Sequence, residues 1–211
     1  AEPGYVDLDN EPYLAGDFLN MGPYEVPVPG PRLYVKSDVE ASGDGRSWET
    51  AYKTLPEALT DDYFSAEIWV AYGDYDYPGT DLPVRQIYGG FQGTETSIDE
   101  RLKEDKDQDG IVQPWEFEHV SILSGDMGQD DVNDDMNNIV EDVLSHIKGI
   151  NSEKLVEIVV PVPGEVVLDG LVFTGASHYS GINSTSNAQI DSCIIIGNKN
   201  RSSGGGITTS N

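Results

Sequence analysis

Val167-Leu168-Asp169-Gly170-Leu171-Val172-Phe173-Thr174-Gly175 is followed by Gln189-Ile190-Asp191-Ser192-Cys193-Ile194-Ile195-Ile196-Gly197, and Asp169 and Asp191 stand 22 positions apart. Gly181-Ile182 returns as Gly206-Ile207 after 25 positions. β-Branched runs at the centre of such a period, with Gly, Asn and Ser at its corners, predict stacked coils that each contribute short strands. The expected fold is all-β, a parallel β-helix. Leu168, Leu171 and Phe173 then stand against Ile190, Cys193 and Ile195 as internal ladders that no single coil can bury alone. Asn198 and Asn200 are expected at a corner, because Asn tolerates left-handed backbone.

Upstream, Thr54-Leu55-Pro56-Glu57 has the form of a capping box with Pro in the first helical turn. Ala51, Leu55, Ala58 and Leu59 share one face of the short helix that follows, which is expected to plug the N-terminal end of the stack. Ile68-Trp69-Val70 and Gln86-Ile87-Tyr88 read as the first rungs, with Trp48 and Trp69 as packing aromatics.

The order of phrases carries a resemblance. Leu33-Tyr34-Val35, Ser42-Gly43-Asp44-Gly45, Ile68-Trp69-Val70-Ala71-Tyr72-Gly73, Ile87-Tyr88-Gly89-Gly90-Phe91, Ile122-Leu123-Ser124-Gly125-Asp126 and Gly204-Gly205-Gly206-Ile207 resemble the secreted bacterial right-handed parallel β-helix proteins of the polymorphic outer-membrane repeat and choice-of-anchor type. Asn20-Met21-Gly22-Pro23-Tyr24-Glu25 is similar to the phrase that closes such modules. The resemblance implies that residues 1–32 are the closing coil of a preceding module plus a linker stiffened by Pro27, Pro29 and Pro31. Residues 33–211 then form the next β-helix, at a cell surface or secreted.

Asp105-Lys106-Asp107-Gln108-Asp109-Gly110-Ile111-Val112-Gln113-Pro114-Trp115-Glu116 fits the EF-hand calcium loop. Asp105, Asp107 and Asp109 take positions 1, 3 and 5, and Gly110 takes the turn. The Ile111 carbonyl, Gln113 and a bidentate Glu116 complete about seven oxygens for a hard cation. Ile87 and Ile122 begin similar phrases 35 residues apart, and subtracting the loop's twelve leaves 23, the length of one coil. The loop is therefore expected as an insertion, 97–118, entered by a helix over residues 97–104 with Ser97 and Glu100 as capping box. A second acidic run, Asp126, Asp130, Asp131, Asp134 and Asp135, matches no ligand spacing. Ile139, Val140, Val143, Leu144 and Ile147 have helical period.

The net charge is −26, from 12 basic and 38 acidic residues. Its field repels phosphate, which excludes nucleic acid as a partner and favours cations. No apolar run approaches the roughly 18 residues of a membrane span. The single cysteine, Cys193, is a small buried hydrophobe rather than half of a disulfide. The chain begins at Ala1 with no apolar leader, so it is expected to be processed or part of a longer polypeptide.

No residue is assigned to catalysis. His119, His146 and His178 lack relay or ligand spacing, Arg85 and Arg201 have no evident partner, and no two carboxylates are fixed as a hydrolytic pair. The functional expectation is a non-catalytic, calcium-stabilised structural or adhesive module. Its expected partners are further coils or other copies of itself, with end-to-end stacking into a filament as one form. A polysaccharide ligand and a carbohydrate-active enzyme, by analogy with other β-helices, form the alternative.

Overall fold

A computed structural model of the chain describes residues 14–15, 18–19, 32–61, 67–82, 85–133, 135–142, 145–159, 166–201 and 204–209. The closing coil and proline linker expected over residues 1–32 lie outside these, apart from Arg32 and a short antiparallel pair, β1 (Leu14–Ala15) with β2 (Phe18–Leu19).

From Leu33 onward the chain is built of short strands that stack in threes. After β3 (Leu33–Val35) and α1 (Leu55–Leu59) come β4 (Glu67–Ala71), β5 (Gly73–Asp76) and β6 (Thr80–Leu82), then β7 (Gln86–Phe91), β8 (Ser121–Ser124) and β9 (Val156–Ile158). The next triplet is β10 (Val166–Asp169), β11 (Leu171–Thr174) and β12 (Ile182–Ser184), and the last is β13 (Ala188–Asp191), β14 (Ile194–Ile195) and β15 (Ile207–Thr209). The three sheets take one strand from each triplet, in the orders β13-β10-β7-β4-β3, β14-β11-β8-β5 and β15-β12-β9-β6. All their pairings are parallel, and α1 is the one α-helix among the described residues.

The registers expected from the repeat are those found. Asp169 pairs with Asp191, Leu168 with Ile190, Phe173 with Ile195 and Ile182 with Ile207. Between them the triplets enclose one core, in which Leu168, Leu171 and Phe173 are fully covered and Ile190, Cys193 and Ile195 pack against it while partly exposed. Burial pushes the Cys193 thiol up to about 12, consistent with an inert packing role. Glycine, not asparagine, takes the left-handed corner: Gly175 and Gly197 have φ of 81° and 65°. Asn198 instead turns its amide inward, donating to the Phe173 carbonyl at 2.9 Å and accepting from the Ala176 N–H at 3.0 Å. It ties two successive layers together.

One spacing argument fails. Ile87 and Ile122 are not equivalent positions of successive layers. Ile87 stands in β7 between Ile68 and Leu168, whereas Ile122 stands in β8 between Asp74 and Val172. The inserted loop therefore separates the first and second strands of one triplet.

At the N-terminal end α1 forms as expected. The Glu57 carboxylate accepts from the Thr54 N–H and hydroxyl at 3.0 and 2.8 Å, and from Ser42 at 2.8 Å. Leu55 and Ala58 enter the core beneath β3. Trp48 and Trp69 are buried in a second cluster on the outside of that sheet. There Trp69 stacks on Phe91 at 4.3 Å and the Arg32 guanidinium lies 3.6 Å over the Trp69 ring.

Candidate metal centre

The inserted loop begins where Ser97 caps a single 3₁₀ turn, Ile98–Glu100, with its hydroxyl accepting from the Asp99 N–H at 3.4 Å. The expected helix over 97–104 stops there, and Glu100 reaches back to accept from the Thr96 N–H and hydroxyl at 2.8 and 3.1 Å. The reason is Arg101, whose backbone is extended so that its side chain can enter the layers. Its Nη2 lies 2.9 Å from Asp169 Oδ2, Nη1 donates to the Gly89 carbonyl at 3.1 Å, and the guanidinium sits 4.8 Å over the Phe117 ring. An antiparallel bridge, Lys103 with Phe117, then closes the neck of the loop. Glu104 N–H donates to the Glu116 carbonyl at 3.0 Å and Glu118 N–H to the Leu102 carbonyl at 2.9 Å.

Within that neck the chain folds about its carboxylates. Asp105 accepts from the Asp109 and Gly110 N–H groups at 3.2 and 2.9 Å, and Asp109 from the Ile111 N–H at 2.8 Å. One oxygen each of Asp105, Asp107 and Asp109 lies within 4.8 Å of the others. Gly110 has φ 90° with open space where a Cβ would sit, so the demand for glycine is conformational, not steric. Among the described residues no Lys, Arg or His pairs with these three acids; the neighbouring Lys106 pairs with Glu104. Like charges this close are mutually destabilising unless a cation is shared, and the donor set is the hard oxygen chemistry that suits calcium.

The remaining predicted ligands lie in the same loop. Ile111 is exposed, Gln113 is half-buried, and Glu116 is 6% exposed with its carboxylate on backbone amides, accepting from Lys106 at 3.0 Å and Gln113 at 2.6 Å. Glu116 thus holds both arms of the loop together and stands outside the close group of three aspartates.

The second acidic run is more organised than its spacing implied. Asp126 accepts from the Asp130 and Asp131 N–H groups at 3.3 and 2.9 Å, and the three carboxylates lie within 4.8 Å of one another. Asp134 is outside the described residues. Asp74 and Asp76, which the sequence reading passed over, project from β5 into the same cleft, of about 350 Å³, beside Asp126 and Asp131. Burial, then the charges of Asp76 and Asp126, raise the Asp74 carboxyl to about 6. The available signal was the alternation Gly73-Asp74-Tyr75-Asp76, in which Tyr75 points into the core and both acids point out.

No helix forms over 139–142 or 145–150, and Val143 and Leu144 lie outside the described residues. Asn side chains hold the preceding chain in turns, with Asn133 accepting from Asn137 N–H at 3.0 Å and Asn137 from Ile139 N–H at 2.8 Å, which competes with helical bonding. Val140 is buried against the stack all the same, its N–H donating to Thr174 Oγ1 at 2.9 Å.

The histidines stay apart: His119 packs on Tyr72, His146 lies 3.8 Å from Glu141, and His178 packs on Tyr179. Arg85 is buried, with Nη2 donating to the Asp61 carbonyl at 3.2 Å, and Arg201 is exposed. Asp81 and Glu157, on neighbouring strands, are both bridged by Lys154 Nζ at 2.8 Å. No helix among the described residues is long and apolar enough to cross a membrane. Comparison with known protein families, with characterised proteins and with solved structures gives no match to this chain.

Proposed function

We propose that the chain is a right-handed parallel β-helix module of a secreted or cell-surface protein, structural or adhesive in role and stiffened by calcium in the loop 97–118. Three parallel sheets fed in turn by successive strand triplets support the winding, and parallel crossovers are right-handed in nearly all proteins. The observation that carries the metal reading is the gathering of Asp105, Asp107 and Asp109 around the left-handed Gly110, with no basic side chain among the described residues paired to them. Calcium there takes over the charge balance of the three acids. Its binding is transmitted to the stack through the Lys103–Phe117 bridge and the Arg101–Asp169 pair.

Extracellular calcium modules bind with Kd of about 10⁻⁴–10⁻³ M. A free calcium concentration about 100 times the Kd adds roughly 2.7 kcal/mol of stability, because the unfolded chain does not bind. For a chain of this length that is roughly 5–11 °C in Tm. Thermal unfolding in chelator and in excess calcium tests it: the parent should show that rise and Glu116→Gln a smaller one. Equal midpoints for the parent in both conditions contradict the proposal.

A second reading, a carbohydrate-active enzyme, draws on one observation, the elevated Asp74 carboxyl beside Asp126 in the acidic cleft. The Asp81 and Glu157 pair does not serve it, since Lys154 Nζ already engages both carboxylates at 2.8 Å. Release of reducing sugar from a panel of acidic and neutral polysaccharides, abolished in Asp74→Asn, would replace the structural reading with this one.

A further inference from the structure

The outer face of β6, β9 and β12 forms a groove of its own. Leu82 of β6, Val156 and Ile158 of β9 and Ile182 of β12 enter the core, so Asp81, Glu157 and Asn183 beside them point outward. The parallel register sets Asp81 next to Glu157 and Glu157 next to Asn183, one per layer, at the strand spacing of about 4.8 Å. Over Glu157 and Asn183 lies a cleft of about 510 Å³, a size that suits a small-molecule site. Backbone bonds between layers fix both of its sides. Tyr179 N–H donates to the Glu153 carbonyl at 2.8 Å on one side, and Thr185 N–H to the Ile158 carbonyl at 3.0 Å on the other.

The polar groups of the cleft divide into those already used and those left over. The Ser184 hydroxyl donates to the Ser186 carbonyl at 2.6 Å, the Thr185 hydroxyl to the Ile158 carbonyl at 3.3 Å, and the Thr208 hydroxyl pairs with Ser180. Lys154 Nζ lies 2.8 Å from both Asp81 Oδ1 and Glu157 Oε2, which holds the two carboxylates in place. Their second oxygens, Asp81 Oδ2 and Glu157 Oε1, accept no hydrogen bond among the described residues. The Asn183 amide and the Tyr179 hydroxyl are unused in the same sense. The Tyr179 ring is 48% exposed and braced by the His178 ring at 5.3 Å.

We infer that this groove binds a neutral polysaccharide, with one pyranose face on the Tyr179 ring and sugar hydroxyls on Glu157, Asn183 and Asp81. A pyranose carries an apolar C–H face for an exposed ring, and around it a rim of hydroxyls. Those hydroxyls donate to carboxylate and amide oxygens and accept from an amide N–H, which are the groups left over here. An extended sugar chain laid along the stack advances by about one ring per layer, so successive rings meet successive outward side chains. Side chains already held by Lys154 and by interlayer bonds lose little freedom on binding. Other ligand classes fit less well. An anionic sugar or a phosphate meets Asp81, Glu153 and Glu157 against Lys154, on a chain of net charge −26. A peptide strand finds no edge to join, because β9 and β12 are paired on both sides. The inference gives the adhesive role proposed above a ligand and rests on that reading for its setting; the site itself stands on the strand register, away from the calcium loop.

Affinity electrophoresis of the full chain tests it, in native gels containing xyloglucan, mixed-linkage β-glucan, galactomannan or dextran, with polygalacturonate and heparin gels beside them. At least one neutral polymer should retard the parent, and isothermal titration with its oligosaccharides should give a Kd. Tyr179→Ala and Asn183→Ala should each weaken that binding roughly tenfold, the size of one lost ring or hydrogen-bond contact, while keeping the parent's circular dichroism. Tyr72→Ala, which removes an equally exposed ring beside His119, should bind as the parent does. Melting in chelator and in calcium, read on the same samples, separates failure of this site from failure of the calcium reading. Retardation in none of the neutral gels, retardation confined to the anionic gels, or a Tyr179→Ala chain that binds as well as the parent would each overturn the inference.

Discussion

Phe173→Ala measures how far the ladders carry the stability of the stack. Phe173 is fully buried, with Leu123 paired on one side and Ile195 on the other. Neighbouring layers contact only each other, so a hole in one of them is filled only by bending its neighbours. A buried Phe→Ala change costs about 4 kcal/mol, the lost transfer energy plus the cavity. At about 2–4 °C per kcal/mol for a chain of this size, the midpoint falls by roughly 8–16 °C. Ile195→Ala, one layer further out and partly exposed, removes less buried surface and leaves a site open to solvent. It should cost about 1–2 kcal/mol. Both are read by circular dichroism melts in excess calcium. Equal losses at the two positions, or a larger one at Ile195, would refute the placement of the core.

Two further predictions concern carboxylates. Burial raises the Glu95 carboxyl, but three N–H bonds from Gln92, Gly93 and Thr94 at 2.6–2.9 Å outweigh it, and its net shift is downward. Glu95→Gln should therefore cost about 1–3 kcal/mol near neutral pH. Because the folded value lies below the unfolded one of about 4.3, the contribution is present above that pH and fades as pH falls through the folded value, so urea midpoints of parent and variant should converge in acid. Asp74 has the opposite sign: its folded value of about 6 lies above the unfolded one, so the stability tied to its proton is held in acid and lost as pH rises through about 6. Asp74→Asn should raise the midpoint at neutral pH by less than about 1 kcal/mol, since the side chain is partly in solvent, and leave it unchanged near pH 4; a variant less stable than the parent at neutral pH contradicts this.

The stacking was legible because Asp169/Asp191 and Ile182/Ile207 repeat in phase with the pleat, and inward residues one layer apart must match in character. Which sheet a strand joins was not legible, since Ile87 and Ile122 each open a short strand phrase that ends in glycine, and neither phrase says which side of the layer it occupies. The grouping of Asp105, Asp107 and Asp109 was legible from spacing, which brings together side chains that are close in sequence. Asp74 and Asp76 meet Asp126 only through the β5–β8 pairing, a contact that no local pattern encodes. The helices expected after Ser97 and Ile139 were lost to side chains with better partners elsewhere. Arg101 reaches for Asp169, and Asn133 and Asn137 bond their own backbone.

The most direct test of the calcium account is isothermal titration of the folded chain with calcium, beside a variant carrying Asp107→Asn and Asp109→Asn whose circular dichroism matches the parent. The parent should bind one calcium that the variant does not, whatever the Asp74–Asp126 cleft contributes to both. Superimposable isotherms for the two proteins would contradict it.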